Sequence, residues 1–379
     1  MHGNALMRPT SLLFYTHGLV DGGAERLWAC LATAFKERGY DVRFVQDFEA
    51  DDNRANLRSD IPLHTLGSNH FRATWRLVKL LKQFKPDIAI SSVGGSNTKL
   101  LAAIAYSGVP TKAIISYHGY DEWKTGWLSW LTYLSLPILS RAASRTIAVS
   151  NGLREELVDR WKSHAPTTIT IHNPVFYPGN ITPPSAEELA SRPPTVLAVG
   201  RLVVEKNFTT LIRAMKRVRT PGAKLIILGK GGRRAALERE IKRLNLGDRV
   251  SMPGYSREPW SAYETAKVFA LSSVTEPFGN VVVEAMAHGL PIVATACSGP
   301  LEILQHGRHG RIVSLRDDVQ LAQAIDDALA DPGNPMDRVK RAADFSFDVR
   351  VPAYVAVIDE VLAERRLSPK AGAGELASG

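Results

Sequence analysis

Two cations five residues apart are the first candidates for chemistry. Gly200-Arg201 and Lys206-Asn207 follow a buried strand predicted over 195–199, in a strand-to-helix loop. Fixed Arg and Lys side chains can stabilise the negative charge that develops on a departing diphosphate, without a metal ion. The spacing is compatible with phosphate chemistry, although a pair of solvated surface cations is the commoner outcome for Arg and Lys.

Two carboxylates eight residues apart are the second candidates. Glu276 precedes Phe278, Gly279 and Asn280, and Glu284 falls about one turn into a helix predicted to begin near Gly279. Free N–H groups at a helix start bind phosphate oxygens, and a carboxylate accepts hydrogen bonds from paired sugar hydroxyls. The segment predicts a site for a phosphorylated sugar, and the alternative is an ordinary surface helix.

A glycine-rich loop follows the first predicted strand, over 18–26, and contains Gly22 and Gly23. Glycines let backbone N–H groups approach a ligand closely, and the helix that follows favours an anion. The loop is neither a GxGxxG fingerprint nor a P-loop. A tight strand-to-helix turn with no ligand is the alternative.

Short apolar runs alternate with helical patterns along the chain, which predicts parallel sheets with helices on both faces. Six prolines between 173 and 194 interrupt the alternation and predict a linker. We therefore expect two Rossmann-like domains facing each other across a cleft, over 1–175 and 195–351, with the linker over 176–194. The predicted strands are 11–17, 41–47, 87–93, 112–117, 145–150, 195–199, 224–228, 268–272, 290–295 and 311–314.

Composition limits the class of protein. The 379 residues are 45% hydrophobic and carry a formal net charge of +9, which is typical of a folded chain with anionic partners. The two cysteines, Cys30 and Cys297, cannot form a disulfide framework or a zinc cluster. We find no apolar stretch near the ~18 residues of a membrane span and expect a cytoplasmic protein, with peripheral attachment to the inner face of the cytoplasmic membrane as a further expectation.

The three motifs together resemble the retaining glycosyltransferases of family 4. Glu276-x7-Glu284 is similar to that family's E-x7-E motif, Gly200-Arg201 with Lys206-Asn207 to its second signature, and 22–25 to its N-terminal loop. The resemblance covers about 11–365. It implies a GT-B fold, with a C-terminal helix over 352–366 that returns to the N-terminal domain; the tail 367–379 is expected to be disordered.

The resemblance also implies the roles of the site residues. Arg201 and Lys206 are expected to hold the diphosphate of a UDP- or GDP-sugar, Glu276 to face the donor sugar, Glu284 to bind the ribose, and His118 to act in catalysis. Further donor contacts are implied for Gly22, Gly23, Tyr255, Phe278, Gly279 and Asn280.

The implied reaction is transfer of a hexose-type sugar with retention of configuration, to a hydroxyl of a glycan acceptor. No cofactor or metal is expected, because no Asp-x-Asp motif occurs and the two cations replace the charge of a metal. An acceptor in surface polysaccharide or lipopolysaccharide synthesis is expected. Nucleic acid is not an expected partner.

Aromatic and basic residues follow patterns of their own. Trp123, Trp127, Trp130 and Leu134 fall on one face of a helix, and the segment 71–85 combines five cations with Phe71 and Trp75 and has no acid. Such residues suit an anionic membrane interface and hence a lipid-linked acceptor. The alternative is that the tryptophans are core residues and the cations a solvated face.

Two other functions stay open. A nucleotide-sugar 2-epimerase uses the same two-domain fold, although the cation pair with E-x7-E favours transfer. A non-catalytic basic scaffold subunit is the other alternative.

Overall fold

The structure is a computed structural model and describes residues 8–20, 23–50, 52–120, 127–177, 181–256 and 258–367. These residues form two parallel sheets, which confirms the expected pair of Rossmann-like layers. The predicted tail 367–379 lies outside the described residues except for Leu367.

The first sheet has seven strands in the order β3-β2-β1-β4-β5-β6-β7. All of its strand pairs are parallel. The strands are β1 Ser11–Thr16, β2 Asp41–Gln46, β3 Leu63–Thr65, β4 Ile88–Ser92, β5 Lys112–Tyr117, β6 Arg145–Ala148 and β7 Thr168–Thr170. The helices are α1 Gly23–Glu37, α2 His70–Phe84, α3 Gly94–Ser107, α4 Trp127–Leu134, α5 Leu136–Ala142 and α6 Asn151–Glu155.

The second sheet has six parallel strands in the order β10-β9-β8-β11-β12-β13. The strands are β8 Thr195–Val199, β9 Lys224–Leu228, β10 Val250–Gly254, β11 Val268–Leu271, β12 Ile292–Thr295 and β13 Arg311–Val313. The helices are α7 Ala186–Ser191, α8 Phe208–Arg217, α9 Arg234–Arg243, α10 Trp260–Thr265, α11 Asn280–Ala287, α12 Ser298–Ile303, α13 Asp318–Ala330, α14 Pro335–Ala343 and α15 Phe347–Leu367.

The proline-rich segment between the sheets contains a helix that the proline count did not predict. Helix α7 begins at a capping box, in which the Ser185 hydroxyl accepts from the Glu188 N–H (3.1 Å) and the Glu188 carboxylate accepts from the Ser185 N–H (2.6 Å). Because the prolines fall before 185 and after 192, they flank this helix and leave its interior free.

Helix α15 begins at Phe347, five residues before the predicted start, with Pro352 inside it. Its apolar residues Val351, Tyr354, Ile358 and Val361 are buried with the core on one face of the first sheet. At its outer side Arg145 donates to Glu364 (2.6 Å). Helix α15 therefore packs on the first domain.

Candidate active site

The residues with predicted chemistry converge where the strand order of the second sheet reverses, between β8 and β11. Ligands of open parallel sheets bind beyond the carboxyl ends of the strands at such a point. The loop after β8 carries Arg201 and Lys206, and the loop after β11 carries Glu276. Two hydrogen bonds join these loops, from Val274 N–H to the Glu205 carbonyl (2.8 Å) and from the Ser272 hydroxyl to the Lys206 carbonyl (2.9 Å).

Lys206 points inward and forms an ion pair with Glu276. The Lys206 ammonium donates to Oε2 of Glu276, and the Ser273 hydroxyl donates to the same oxygen at 3.1 Å. The side chains of Lys206 and Glu276 are only 18% and 11% exposed. A Cβ at Gly200 would lie 3.3 Å from Cε of Lys206, so the lysine stem lies over that glycine. The loops thus hold a cation and a carboxylate together at the sheet edge.

Arg201 is exposed, and within the described ranges no ion pair or side-chain hydrogen bond holds it. Its guanidinium is free to meet a ligand, while its backbone carbonyl accepts from the Val203 N–H (2.9 Å). Tyr255 follows β10 and is 46% exposed. The Lys230 ammonium lies 4.8 Å from the centre of the Tyr255 ring. These side chains line the same carboxyl edge of the sheet, since β8, β9 and β10 are neighbours.

The start of helix α11 faces the glycine loop of the first domain. Gly279, at φ 103°, occupies the position before the helix, where a side chain would be strained. A Cβ at Gly23 would lie 3.3 Å from Nδ2 of Asn280, and Asn173 donates to Oδ1 of Asn280 (3.1 Å). The structure therefore brings the first and third sequence motifs together. Gly22 lies outside the described residues.

Phe278, which is expected to be a donor contact, is buried beneath the loop. Its side chain is buried in the core against His172 (ring centres 5.8 Å apart) and Phe345 (5.4 Å apart). Its backbone is also covered, because a Cβ at Gly299 would lie 2.2 Å from the Phe278 carbonyl oxygen. Phe278 therefore supports the loop from beneath.

Glu284 is buried on α11 and accepts a hydrogen bond from the Tyr263 hydroxyl (2.8 Å). Burial raises the pKa of the Glu284 carboxyl, an effect opposed by the charge of Arg26 and by the Tyr263 bond. Arg26 belongs to α1 of the first domain, so this carboxylate responds to a residue across the cleft.

His118 directly follows β5 and packs edge-on against Trp28, with ring centres 5.9 Å apart. Its Nε2 lies 2.6 Å from the Ser116 hydroxyl, and its buried Nδ1 has no hydrogen-bond partner among the described residues. Burial lowers the pKa of His118 to about 4. The imidazole is therefore neutral at neutral pH, with its Nδ1 enclosed.

A buried polar cluster at the carboxyl edge of the first sheet was not predicted from the sequence. Asp47, directly after β2, accepts from the Tyr15 hydroxyl (2.6 Å), from His17 Nδ1 (2.9 Å) and from the Lys99 ammonium. Burial opposes ionisation of Asp47, but the bonds from His17 and Lys99 outweigh it and hold its pKa below the usual value. The only sequence signal is an acidic residue at a strand end.

Val93, between β4 and α3, has a φ of 71°, which a β-branched residue rarely adopts. The Val93 N–H donates to the Ser116 carbonyl (3.2 Å) and so ties β4 to β5. Strained backbone of this kind is typical of functional edges.

The predicted aromatic residues are exposed rather than buried. Trp127 is 71% exposed and Trp130 45%, while Trp123 lies outside the described residues. On α2, Phe71 and Trp75 are exposed and in contact with each other, with ring centres 6.3 Å apart. The interpretation of these tryptophans as core residues is therefore wrong for Trp127 and Trp130.

Neither a metal cluster nor a membrane span is found within the residues that the structure describes. No three His, Cys, Asp or Glu side chains are grouped to hold a metal ion, and no helix combines the length and apolar character needed to cross a bilayer. An open groove of about 900 Å³ lies between residues 183–190 and 331–336. It contains none of the predicted site residues.

Comparison with known proteins gives the same succession of domains. The family model described as Glycosyltransferase Family 4 matches residues 21–176, and that described as Glycosyl transferases group 1 matches residues 183–345. The lipopolysaccharide core biosynthesis glycosyltransferase LpsD of Rhizobium meliloti (strain 1021) is 27% identical over 327 residues, which are 84% of this chain and 88% of that protein.

Two further proteins cover more of the chain. The GalNAc-alpha-(1->4)-GalNAc-alpha-(1->3)-diNAcBac-PP-undecaprenol alpha-1,4-N-acetyl-D-galactosaminyltransferase of Campylobacter jejuni is 25% identical over 363 residues, 90% of this chain and 96% of that protein. The crystal structure of HepE from Anabaena, in complex with UDP, superposes with a TM-score of 0.76 at 20% identity, over 94% of this chain and all of that one.

At that identity the likeness to HepE concerns the fold, and the fold is the expected GT-B arrangement. The two family models cover the two domains in the order that this fold requires. The chain is therefore a glycosyltransferase of the GT-B fold.

Proposed function

We propose that the protein is a retaining hexosyltransferase that acts in the synthesis of a bacterial surface polysaccharide or lipopolysaccharide. It moves a hexose-type sugar from a nucleotide-sugar donor to a hydroxyl of a lipid-linked glycan. The similarity to LpsD and to the Campylobacter enzyme supports this acceptor class. The observation that carries the proposal is the inward-facing Lys206 beside Glu276 at the reversal of strand order.

The donor diphosphate binds at the carboxyl ends of β8 and β11. Arg201 and Lys206 supply positive charge, and backbone N–H groups at Gly23 and at the start of α11 supply hydrogen bonds. Glu276, next to Lys206, accepts hydrogen bonds from hydroxyls of the donor sugar. Glu284 accepts from the ribose hydroxyls.

In the reaction, the acceptor oxygen bonds to the anomeric carbon on the face from which the diphosphate leaves. The bond from that carbon to the diphosphate oxygen breaks, and the hydroxyl proton passes to a diphosphate oxygen. Because attack and departure share one face, the anomeric configuration is retained, and no enzymic nucleophile takes part. The neutral His118 orients a substrate hydroxyl beside the reacting carbon.

Fixed protein charge makes this transfer independent of a divalent metal. Arg201 and Lys206 stabilise the departing diphosphate where other enzymes use a metal ion. We expect full transfer activity in excess EDTA, measured as release of nucleoside diphosphate. Loss of activity in EDTA, restored by added Mg²⁺, contradicts this part of the proposal.

A UDP-sugar is the first donor to test, and the crystal structure of HepE in complex with UDP supports this choice. A thermal-shift screen against UDP-, GDP- and ADP-sugars identifies the nucleotide, since a ligand of the native state raises the melting temperature. The Lys206→Met variant should lose the shift, while Lys216→Met, on the exposed end of α8, should keep it. Net release of nucleoside diphosphate then separates a transferase from a 2-epimerase.

The exposed aromatic residues of the first domain support a membrane-bound acceptor. Tyr106 on α3 extends the pair on α2, with its ring centre 5.9 Å from that of Trp75, and α3 also packs against α4, which carries Trp127 and Trp130. The cations of α2 are exposed beside these rings. Aromatic rings and cations on one face suit the headgroup region of an anionic bilayer.

A further inference from the structure

The side chain of Arg26, in the first domain, contacts the second domain. It lies one turn into α1, and its guanidinium carbon is 5.2 Å from the centre of the Phe176 ring and 5.2 Å from that of the Trp260 ring. Phe176 is the first residue of the linker, and Trp260 begins α10 of the second domain. A guanidinium is attracted to aromatic faces at such distances. The contact is therefore a favourable one that exists only when the domains are together.

A series of stacked rings leads from Trp260 to Glu284. The Trp260 ring stacks on His288 (6.0 Å, 10° between planes), His288 stacks on Tyr263 (5.1 Å), and the Tyr263 hydroxyl donates to Glu284. The His288 ring also hydrogen-bonds through Nδ1 to the Glu284 carbonyl (2.8 Å). Trp260, His288 and Tyr263 thus connect Arg26 to the carboxylate that is proposed to bind the ribose.

Arg26 is also the cation whose charge opposes the effect of burial on the Glu284 carboxyl. A buried carboxylate without such a charge tends to take up a proton, and a protonated carboxyl is a weaker acceptor for sugar hydroxyls. Separation of the domains withdraws Arg26, because it belongs to the opposite domain. The acceptor strength of Glu284 therefore depends on domain closure.

We propose that Arg26 is a positioning residue that couples closure of the two domains to nucleotide binding at Glu284. The inference rests on the proposed function, in which Glu284 holds the ribose. It predicts that Arg26 and Glu284 act as one unit, so that loss of either removes most of what the other contributes.

A double-mutant cycle tests this coupling, with UDP, GDP and ADP as probes in titration calorimetry. We expect the wild type to bind one of them. Arg26→Met should weaken its binding about tenfold, within the roughly 5- to 150-fold range of coupled sites, and Arg26→Lys less. In an Glu284→Gln background, Arg26→Met should cause little further loss. The matched control, Arg38→Met, removes an exposed charge beyond the far end of α1 and should leave binding unchanged.

Domain closure gives a second readout. Small-angle scattering should show that the nucleotide makes the wild type more compact and leaves Arg26→Met less affected. If Arg26→Met does not fold, judged by its melting curve, Arg26→Gln takes its place. Wild-type affinity in the folded variant, or independent losses for Arg26→Met and Glu284→Gln, overturns the inference. A wild type that binds none of the three nucleotides refutes the proposed function itself, and this inference with it.

Discussion

Replacement of Lys206 by Met should separate the structural and ligand-binding roles of its ammonium. Among the residues that the structure describes, the variant leaves the Ser273 hydroxyl as the hydrogen-bond partner of the Glu276 carboxylate, whose side chain is 11% exposed. Removal of one partner of a buried ion pair costs about 3–5 kcal/mol. Since both side chains keep some exposure, we expect about 3 kcal/mol, or roughly 6–12 °C in melting temperature at about 2–4 °C per kcal/mol.

The same variant should also lose affinity for the nucleoside diphosphate. A hydrogen bond to a charged group contributes about 1.5–3 kcal/mol, which corresponds to a loss of about 10- to 100-fold. The double variant Lys206→Met/Glu276→Gln separates the two effects, because a neutral amide at 276 still accepts from Ser273 and has no need of a cation. It should recover most of the stability and none of the nucleotide affinity.

Thermal unfolding and titration calorimetry with the nucleoside diphosphate measure the two quantities on the same samples. The nucleotide lacks the donor sugar, so the loss of the sugar contact at Glu276 does not confuse the result. Recovery of wild-type affinity by the double variant would show that Lys206 serves only to neutralise Glu276. Our account of the diphosphate site would then be refuted.

Three further predictions test other parts of the structure. The pKa of His118 lies near 4 in the folded protein, below its ordinary ~6.5 in an unfolded chain. The free energy of unfolding should therefore fall by up to about 3 kcal/mol as the pH drops from 6.5 to 4. In urea unfolding, the His118→Gln variant should show a weaker dependence on pH. Asp47→Asn leaves the Lys99 ammonium buried without its counter-charge and should cost about 3 kcal/mol, whereas Asp60→Asn, in an exposed pair, should cost less than about 1 kcal/mol. Trp127→Ser should reduce sedimentation with anionic vesicles; unchanged binding argues against a membrane contact there.

Much of the fold could be predicted from the sequence, because the central strands are continuous apolar runs. Strands β5, β8 and β9 have the predicted bounds. The strands that were missed, β3, β7 and β10, are all edge strands. An edge strand packs against fewer neighbours, and its mixed exposure, as in β10, leaves no continuous apolar run to recognise.

Some residues of the candidate site could be predicted from the sequence and others could not. Lys206, Glu276 and Gly279 could be predicted because each motif is local and follows a strand end. Arg26 could not, since its partners belong to another domain and its type and spacing resemble those of any helical arginine. The Asp47–Lys99 pair was equally hidden, because the two residues are 52 positions apart and meet only through the fold.

Helix α15 has a consequence for the order in which the protein can form. Its buried residues complete the core of a domain whose other elements end more than a hundred residues earlier in the chain. During synthesis, domains generally fold from the N-terminus onward. The apolar face of the first domain that α15 covers stays exposed until residues 347–367 have left the ribosome. The second domain has no such delay. Although it is synthesised later, it can therefore complete its folding before the first domain does.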